Sequence, residues 1–212
     1  MAALDLQEQE QLEGLKAWWH DNGNFVLGVV LLLVIVIGGW RGWGYYQNKQ
    51  AFEAATLYEQ FNEQLASNDA KRVNDAAAVL MDKYSGTLYA ARAALSAALV
   101  NEQAKAVPQA KTQLQWVLEH ATQDGLKDMA HLRLASLLLD EKNYADAMKH
   151  LDATHPAAFD GLYADLKGDV LSAQGKNDEA RAAYQIAYDK TDARSTYRQL
   201  IQMKLDDLGA KK

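Results

Sequence analysis

Histidines and paired carboxylates are the side chains of this chain with the chemistry for catalysis or metal binding. The five histidines are His20, His120, His131, His150 and His155. A metal pair on a helix needs ring nitrogens on one face and a carboxylate at matching spacing. His150 and His155 stand across an expected helix end without such a carboxylate, so they read as solvated or capping groups. The Asp140-Glu141 and Asp206-Asp207 pairs fall at helix ends or on exposed faces, where they read as surface charge rather than as a general acid and base. There is no glycine-rich phosphate loop and no G-x-S-x-G elbow. The absence of cysteine excludes disulfides, thiol catalysis and cysteine metal sites, and leaves the redox compartment open. A net charge of −6 with interspersed signs argues against nucleic acid, whose phosphates require a basic face. The expectation is no enzyme, no cofactor and no metal. What remains is a binding surface.

The elements that must carry that surface begin with a membrane anchor. Phe25 to Trp40 contains no charge, and Leu31, Ile35, Gly38, Gly39 and Trp40 lead to Arg41, which can snorkel to the headgroups. Trp18 and Trp19 on one side, and Trp40, Trp43, Tyr45 and Tyr46 on the other, suit interfacial belts. A cleaved leader would be basic and end in small residues; this one carries Asp5, Glu8, Glu10 and Glu13. A buried core helix would show a polar stripe. The anchor is therefore placed at 23–46, after a tail of residues 1–22. That tail reads either as a short amphipathic helix (Leu4, Leu12, Leu15, Trp18, Trp19) or as a frayed acidic end, with Asn22-Gly23-Asn24 as a turn. Flanking charge, Lys16 against Arg41 and Lys49, does not decide topology and leans faintly toward a cytoplasmic C-terminal domain.

Residues 47–212 read as helices throughout, with breaks at Ser67-Asn68-Asp69, Ser85-Gly86-Thr87, Asp124-Gly125, His155-Pro156 and Gly175-Lys176-Asn177. The Lys211, Lys212 tail reads as frayed. Units at roughly 47–86, 87–122, 125–154 and 157–190 precede a terminal helix at 193–208. The second helix of each pair carries a small residue and, four later, a larger one: Ala76 and Leu80, Ala110 and Leu114, Ala147 and Leu151, Ala180 and Tyr184. The alanines lie 34, 37 and 33 residues apart, the period of tetratricopeptide repeats. The expected fold is all-α: one N-terminal transmembrane helix followed by a tetratricopeptide-like helical-repeat solenoid. First helices line the inner face of such an array. Arg92, Ser96, His131, Arg133, Asp165, Lys167 and Asp169 are the candidate partner groove. Trp116 reads as packing. The terminal helix reads as a cap on the last repeat, with docking into a partner as the alternative.

The whole chain resembles the ancillary Sec-translocon subunit family of Gram-negative inner membranes. The resemblance rests on Gly38-Gly39-Trp40-Arg41 followed by Trp43, Gln47 and Gln50, on Ala164-Asp165-Leu166-Lys167-Gly168-Asp169, and on Gln202 to Leu208. It implies a cytoplasmic tail, an inner-membrane anchor and a periplasmic repeat domain. It also implies association with the SecYEG channel and with a membrane-anchored periplasmic chaperone of the parvulin type, and contact with unfolded secretory clients. A cytoplasm-facing adaptor that recruits a soluble regulator or enzyme is the alternative. A membrane-tethered hydrolase is a third reading, for which the sequence supplies no nucleophile–base pair.

Overall fold

The computed structural model describes residues 2–67 and 69–210. Every regular element among the described residues is helical. The chain divides into two compact units between Lys49 and Gln50. Helix α1 (Ala2–Ala66) is followed by α2 (Ala70–Lys83), α3 (Leu88–Gln103), α4 (Val107–His120), α5 (Asp124–Asp140) and α6 (Tyr144–Leu151). After a 3-10 turn (Ala157–Phe159) come α7 (Asp160–Ala173), α8 (Asn177–Lys190) and α9 (Thr196–Ala210).

In the first unit, α1 runs through Asn22-Gly23-Asn24, so the turn expected there does not form. Within the continuous helix the Asn22 amide donates back to the Trp18 carbonyl at 3.0 Å. Gly23 fits beneath the Trp19 ring, 3.2 Å from where a Cβ would stand. The tail is thus neither a separate short helix nor a frayed end over the described residues. From Phe25 (75% exposed) through Leu31, Ile35 and Trp40 (76%), the apolar side chains stand out on all sides. A helix this apolar and uncovered is matched to lipid rather than to water. Among the described residues it is the one stretch long and apolar enough to cross a membrane, with mean hydropathy 2.3. Arg41 is exposed at its end, and an added Cβ at Gly38, Gly39 or Gly42 would meet nothing of this chain within 4 Å.

In the second unit, side-chain caps set the starts of α2, α3 and α6. The Asp69 carboxylate accepts from the backbone N–H of Lys71 (3.0 Å) and Arg72 (3.2 Å). The Thr87 hydroxyl accepts from Ala90 N–H at 3.3 Å, and Asn143 Oδ1 from Asp146 N–H at 3.4 Å. Pro108 sits in the first turn of α4, where no N–H is missed. The expected break at Asp124-Gly125 is instead the start of α5, whose N-cap position, Gln123, makes no side-chain cap bond. Residues 157–159 form a 3-10 turn before α7, and α9 starts at Thr196 rather than Ala193. Asn68, Lys211 and Lys212 lie outside the described residues.

Three turns between paired helices share one geometry. Ala106, Asn143 and Lys176 N–H bond back to the carbonyls of Asn101, Leu138 and Leu171 at 2.7, 2.8 and 3.0 Å. The residue before each is left-handed: Lys105 (φ 59°), Lys142 (φ 60°) and Gly175 (φ 76°). This is the Schellman ending, which satisfies carbonyls that the helix leaves open. The following helices bury matching positions, Ala110, Leu114 and Val117 on α4, then Ala147 and Leu151 on α6, then Ala180, Tyr184 and Ala187 on α8. On α2 the fully buried positions are Val73, Ala77 and Leu80, while Ala76 is only half-buried. The first unit is therefore shifted by three residues from the register expected, with Val73 in the small-residue place.

The core is built by neighbours. Ala54 and Phe61 of α1 pack with α2 and α3, α3 to α5 share a second cluster, α5 to α7 a third and α7 to α9 a fourth. This nearest-neighbour stacking is what a helical solenoid predicts.

Candidate binding surface

The structure places the expected groove residues in differing surroundings. Arg92 on α3 is exposed and Ser96 beside it half-buried. Arg133 on α5 reaches back to Glu102 of α3 at 3.7 Å. The Lys167 ammonium on α7 donates to Asp152 at 2.8 Å, across the α6–α7 connection. These four remain on accessible surface.

Asp165 does not. It is 3% exposed and sits between α7 and α9 rather than on an open face. Its carboxylate accepts from the Tyr197 hydroxyl at 2.5 Å and from the Lys204 ammonium at 2.8 Å. Lys204 also donates to Asp169 at 2.9 Å, and Asp169 accepts from the Tyr184 hydroxyl at 2.7 Å. The two α7 carboxylates hold the terminal helix, which caps the last repeat. Burial first, and then the neighbouring carboxylates, push the Tyr184 and Tyr197 hydroxyls well above the usual tyrosine range.

His131 of α5 meets His150 of α6, with 3.0 Å between their Nδ1 atoms. Such a contact requires one ring to donate N–H into the lone pair of the other, so it fails when both are protonated. Burial is the main cause lowering both pKa values, and the His131 charge is the second cause at His150. A histidine whose folded pKa is lowered stabilises the fold above its unfolded value of about 6.5, and this contribution is lost as pH falls through the folded pKa. The melting temperature should therefore drop by a few degrees between pH 7.5 and pH 5.5. His150→Gln, which keeps a hydrogen-bonding side chain that does not titrate, should flatten that slope in a fluorimetric melt.

Two open clefts lie between second helices. One of 730 Å³ separates α2 from α4, and one of 810 Å³ separates α4 from α6. Trp116 lines both, and its ring stacks on His120 with centroids 4.4 Å apart. It is both packing and cleft wall. At the first cleft, Asn74, Asn101 and Gln113 close a triangle of amide hydrogen bonds of 2.7 to 2.8 Å. Asn101 is 1% exposed, and the triangle ties α2, α3 and α4 together. Sequence reasoning missed it. The available signal was an asparagine on the otherwise apolar, alanine-rich face of α3. A second missed group is Asp128 on α5, 3% exposed, which accepts from the Tyr163 hydroxyl of α7 at 3.1 Å. Among the described residues no cluster of three or more histidines and carboxylates is arranged to hold a metal.

Residues 16–210 match the family described as tetratricopeptide repeat-like domain. The chain is 34% identical to an ancillary SecYEG translocon subunit of Neisseria gonorrhoeae, over 97% of this chain and 99% of that one. It is 30% identical to the protein of that name from Aggregatibacter actinomycetemcomitans, over 97% and 100%. The Escherichia coli K12 protein of the same name is 29% identical over 95% and 96%. No solved structure matches the chain.

Proposed function

The chain belongs to the family of ancillary SecYEG translocon subunits, with a tetratricopeptide repeat-like domain over most of its length, and from that premise we propose that it is a non-catalytic, membrane-anchored scaffold at the Sec translocon. Its repeat domain, residues 47–212, faces the periplasm and passes newly translocated polypeptides to periplasmic chaperones, a membrane-anchored parvulin-type chaperone among them. The observation that carries this reading is the extent of the similarity: it covers anchor and repeats together, 97% of this chain against 99% of the gonococcal relative.

The physical mechanism is tethering. Two proteins held in one membrane meet at an effective concentration that reaches millimolar, so weak domain contacts suffice. The accessible Arg92, Ser96, Arg133 and Lys167, with the clefts beside Trp116, supply polar contacts of that modest strength. The exposed glycines Gly38, Gly39 and Gly42 allow another membrane helix to approach the anchor closely.

Topology separates this reading from the cytoplasm-facing adaptor, toward which the flanking charges Arg41 and Lys49 lean faintly without deciding. Ser67 is exposed at the end of α1, and the chain has no thiol of its own. A Ser67→Cys variant in cells with a permeabilised outer membrane should react with a membrane-impermeant maleimide. A thiol protected until the inner membrane is lysed, and reactive afterwards, would overturn the periplasmic placement. Co-purification of the solubilised protein with the SecYEG channel tests the association itself.

A further inference from the structure

Beneath the α6–α7 connection lies a cavity of 410 Å³, at the small end of the range for ligand sites (~300–1,000 Å³). One wall is a single face of α5 bearing Asp124, Lys127, Asp128 and His131, and the other is Thr154, His155 and Pro156. Asp128 is the unusual member. It is 3% exposed, its Oδ1 takes the Tyr163 hydroxyl, and its Oδ2 is buried without a hydrogen-bond partner. A buried carboxylate oxygen left unpaired is costly, and a cation placed against it removes that cost.

We propose that this cavity receives the guanidinium of an arginine side chain from a bound polypeptide, with Asp128 as its anion. The chemistry of the walls fits that ligand. Asp124 adds a second carboxylate and offsets the positive end of the α5 dipole. The Thr154 side chain offers a hydroxyl acceptor. His155 lies flat against Tyr163, ring centroids 3.9 Å apart, giving a planar surface of the kind on which guanidinium stacks. Lys127, also on the wall, makes no ion pair with Asp128 among the described residues. Burial holds His131 below the usual histidine range, so it brings no competing charge near neutral pH. The planar fork of arginine presents donors to two carboxylates at once, which a point-charge ammonium does less well. This site goes beyond the translocon reading and does not depend on it.

The test uses full-length protein in detergent micelles and two small probes, N-acetyl-arginine-N-methylamide and its neutral citrulline counterpart. The imidazole proton resonances of His131 and His155 report occupancy. The expected result is a saturable shift with the arginine probe and binding at least about tenfold weaker with citrulline. Asp128→Asn keeps an acceptor for Tyr163 and removes the charge, and should weaken arginine binding by a similar factor. No saturable shift with arginine, or equal binding of citrulline, overturns the proposal. So does undiminished binding by Asp128→Asn. If that variant melts early, the comparison of probes on the unchanged protein decides alone. Failure here would leave channel co-purification and maleimide labelling untouched, and failure of those would leave this result standing.

Discussion

Gly168→Val is expected to destabilise the repeat domain by about 3 kcal/mol or more, the upper end for overpacked cores. At this position on α7, a Cβ would lie 2.5 Å from Cδ1 and Cε1 of Tyr184 and 3.0 Å from its Cγ. The clash reaches the root of the ring, so no rotation of a flexible end relieves it. Nor is the ring free to leave: Tyr184 is 4% exposed and its hydroxyl is held by Asp169 at 2.7 Å. Helices α7 and α8 would have to separate. Gly161 on the same helix is the control. There a Cβ would meet the Thr191 hydroxyl at 2.9 Å, and the hydroxyl can turn away only by giving up its 2.8 Å bond to the Ala187 carbonyl, a loss of about 1 kcal/mol. The gain in helix propensity from glycine to alanine, about 1 kcal/mol, then leaves Gly161→Ala near neutral. Calorimetry or a denaturant series on the full-length protein in micelles compares the two. A Gly168→Val variant as stable as the parent would mean that the α7–α8 crossing is looser than the packing described.

Lys204→Met should cost about 3 kcal/mol, near the lower end for breaking a buried ion pair. The lower end applies because the Lys204 side chain is 24% exposed while that of Asp165 is 4% exposed. Methionine fills similar volume, so the loss is electrostatic: Asp165 and Asp169 remain beside each other without their shared cation. Adding Asp165→Asn keeps an acceptor for Tyr197 and deletes one of the two charges, and should recover roughly half of the loss. The readout is local as well as global. Amide exchange in α9 should accelerate well before that in α3, because the terminal helix depends on this contact more than the central helices do. Uniform acceleration across the domain would argue that α9 does not open by itself.

Much of the architecture was legible because apolar spacing and capping residues agree. Asp69, Thr87 and Asn143 announce helix starts in sequence and cap them in space. The register of the first unit was not legible, since α2 contains Ala76-Ala77-Ala78. Consecutive alanines give periodicity nothing to separate, and only packing against Phe61 and α3 selects Val73, Ala77 and Leu80. Asn22-Gly23-Asn24 has turn chemistry, yet here the helical backbone bonds continue through it, an override of local propensity. The burial of Asp165 escaped notice for a different reason. Asp165 and Asp169 look like solvent-facing charges on α7 alone. Their partners Tyr197 and Lys204 lie 32 to 39 residues further on, beyond any local window. The amide triangle and Asp128 were hidden likewise, because burial of a polar group is a property of several helices meeting.

The repeated Schellman turns also bear on the order in which the domain gains structure. Each closes with bonds spanning a few residues, and each core cluster draws on adjacent helices, so a chain that emerges N-terminus first can bury one pair before the next arrives. The seating of α9 is different. Lys204 must find carboxylates 35 and 39 residues upstream, and its helix becomes available only after α7 and α8. Seating of α9 is thus a late step, and until then the α7–α8 repeat presents an acidic, uncapped end.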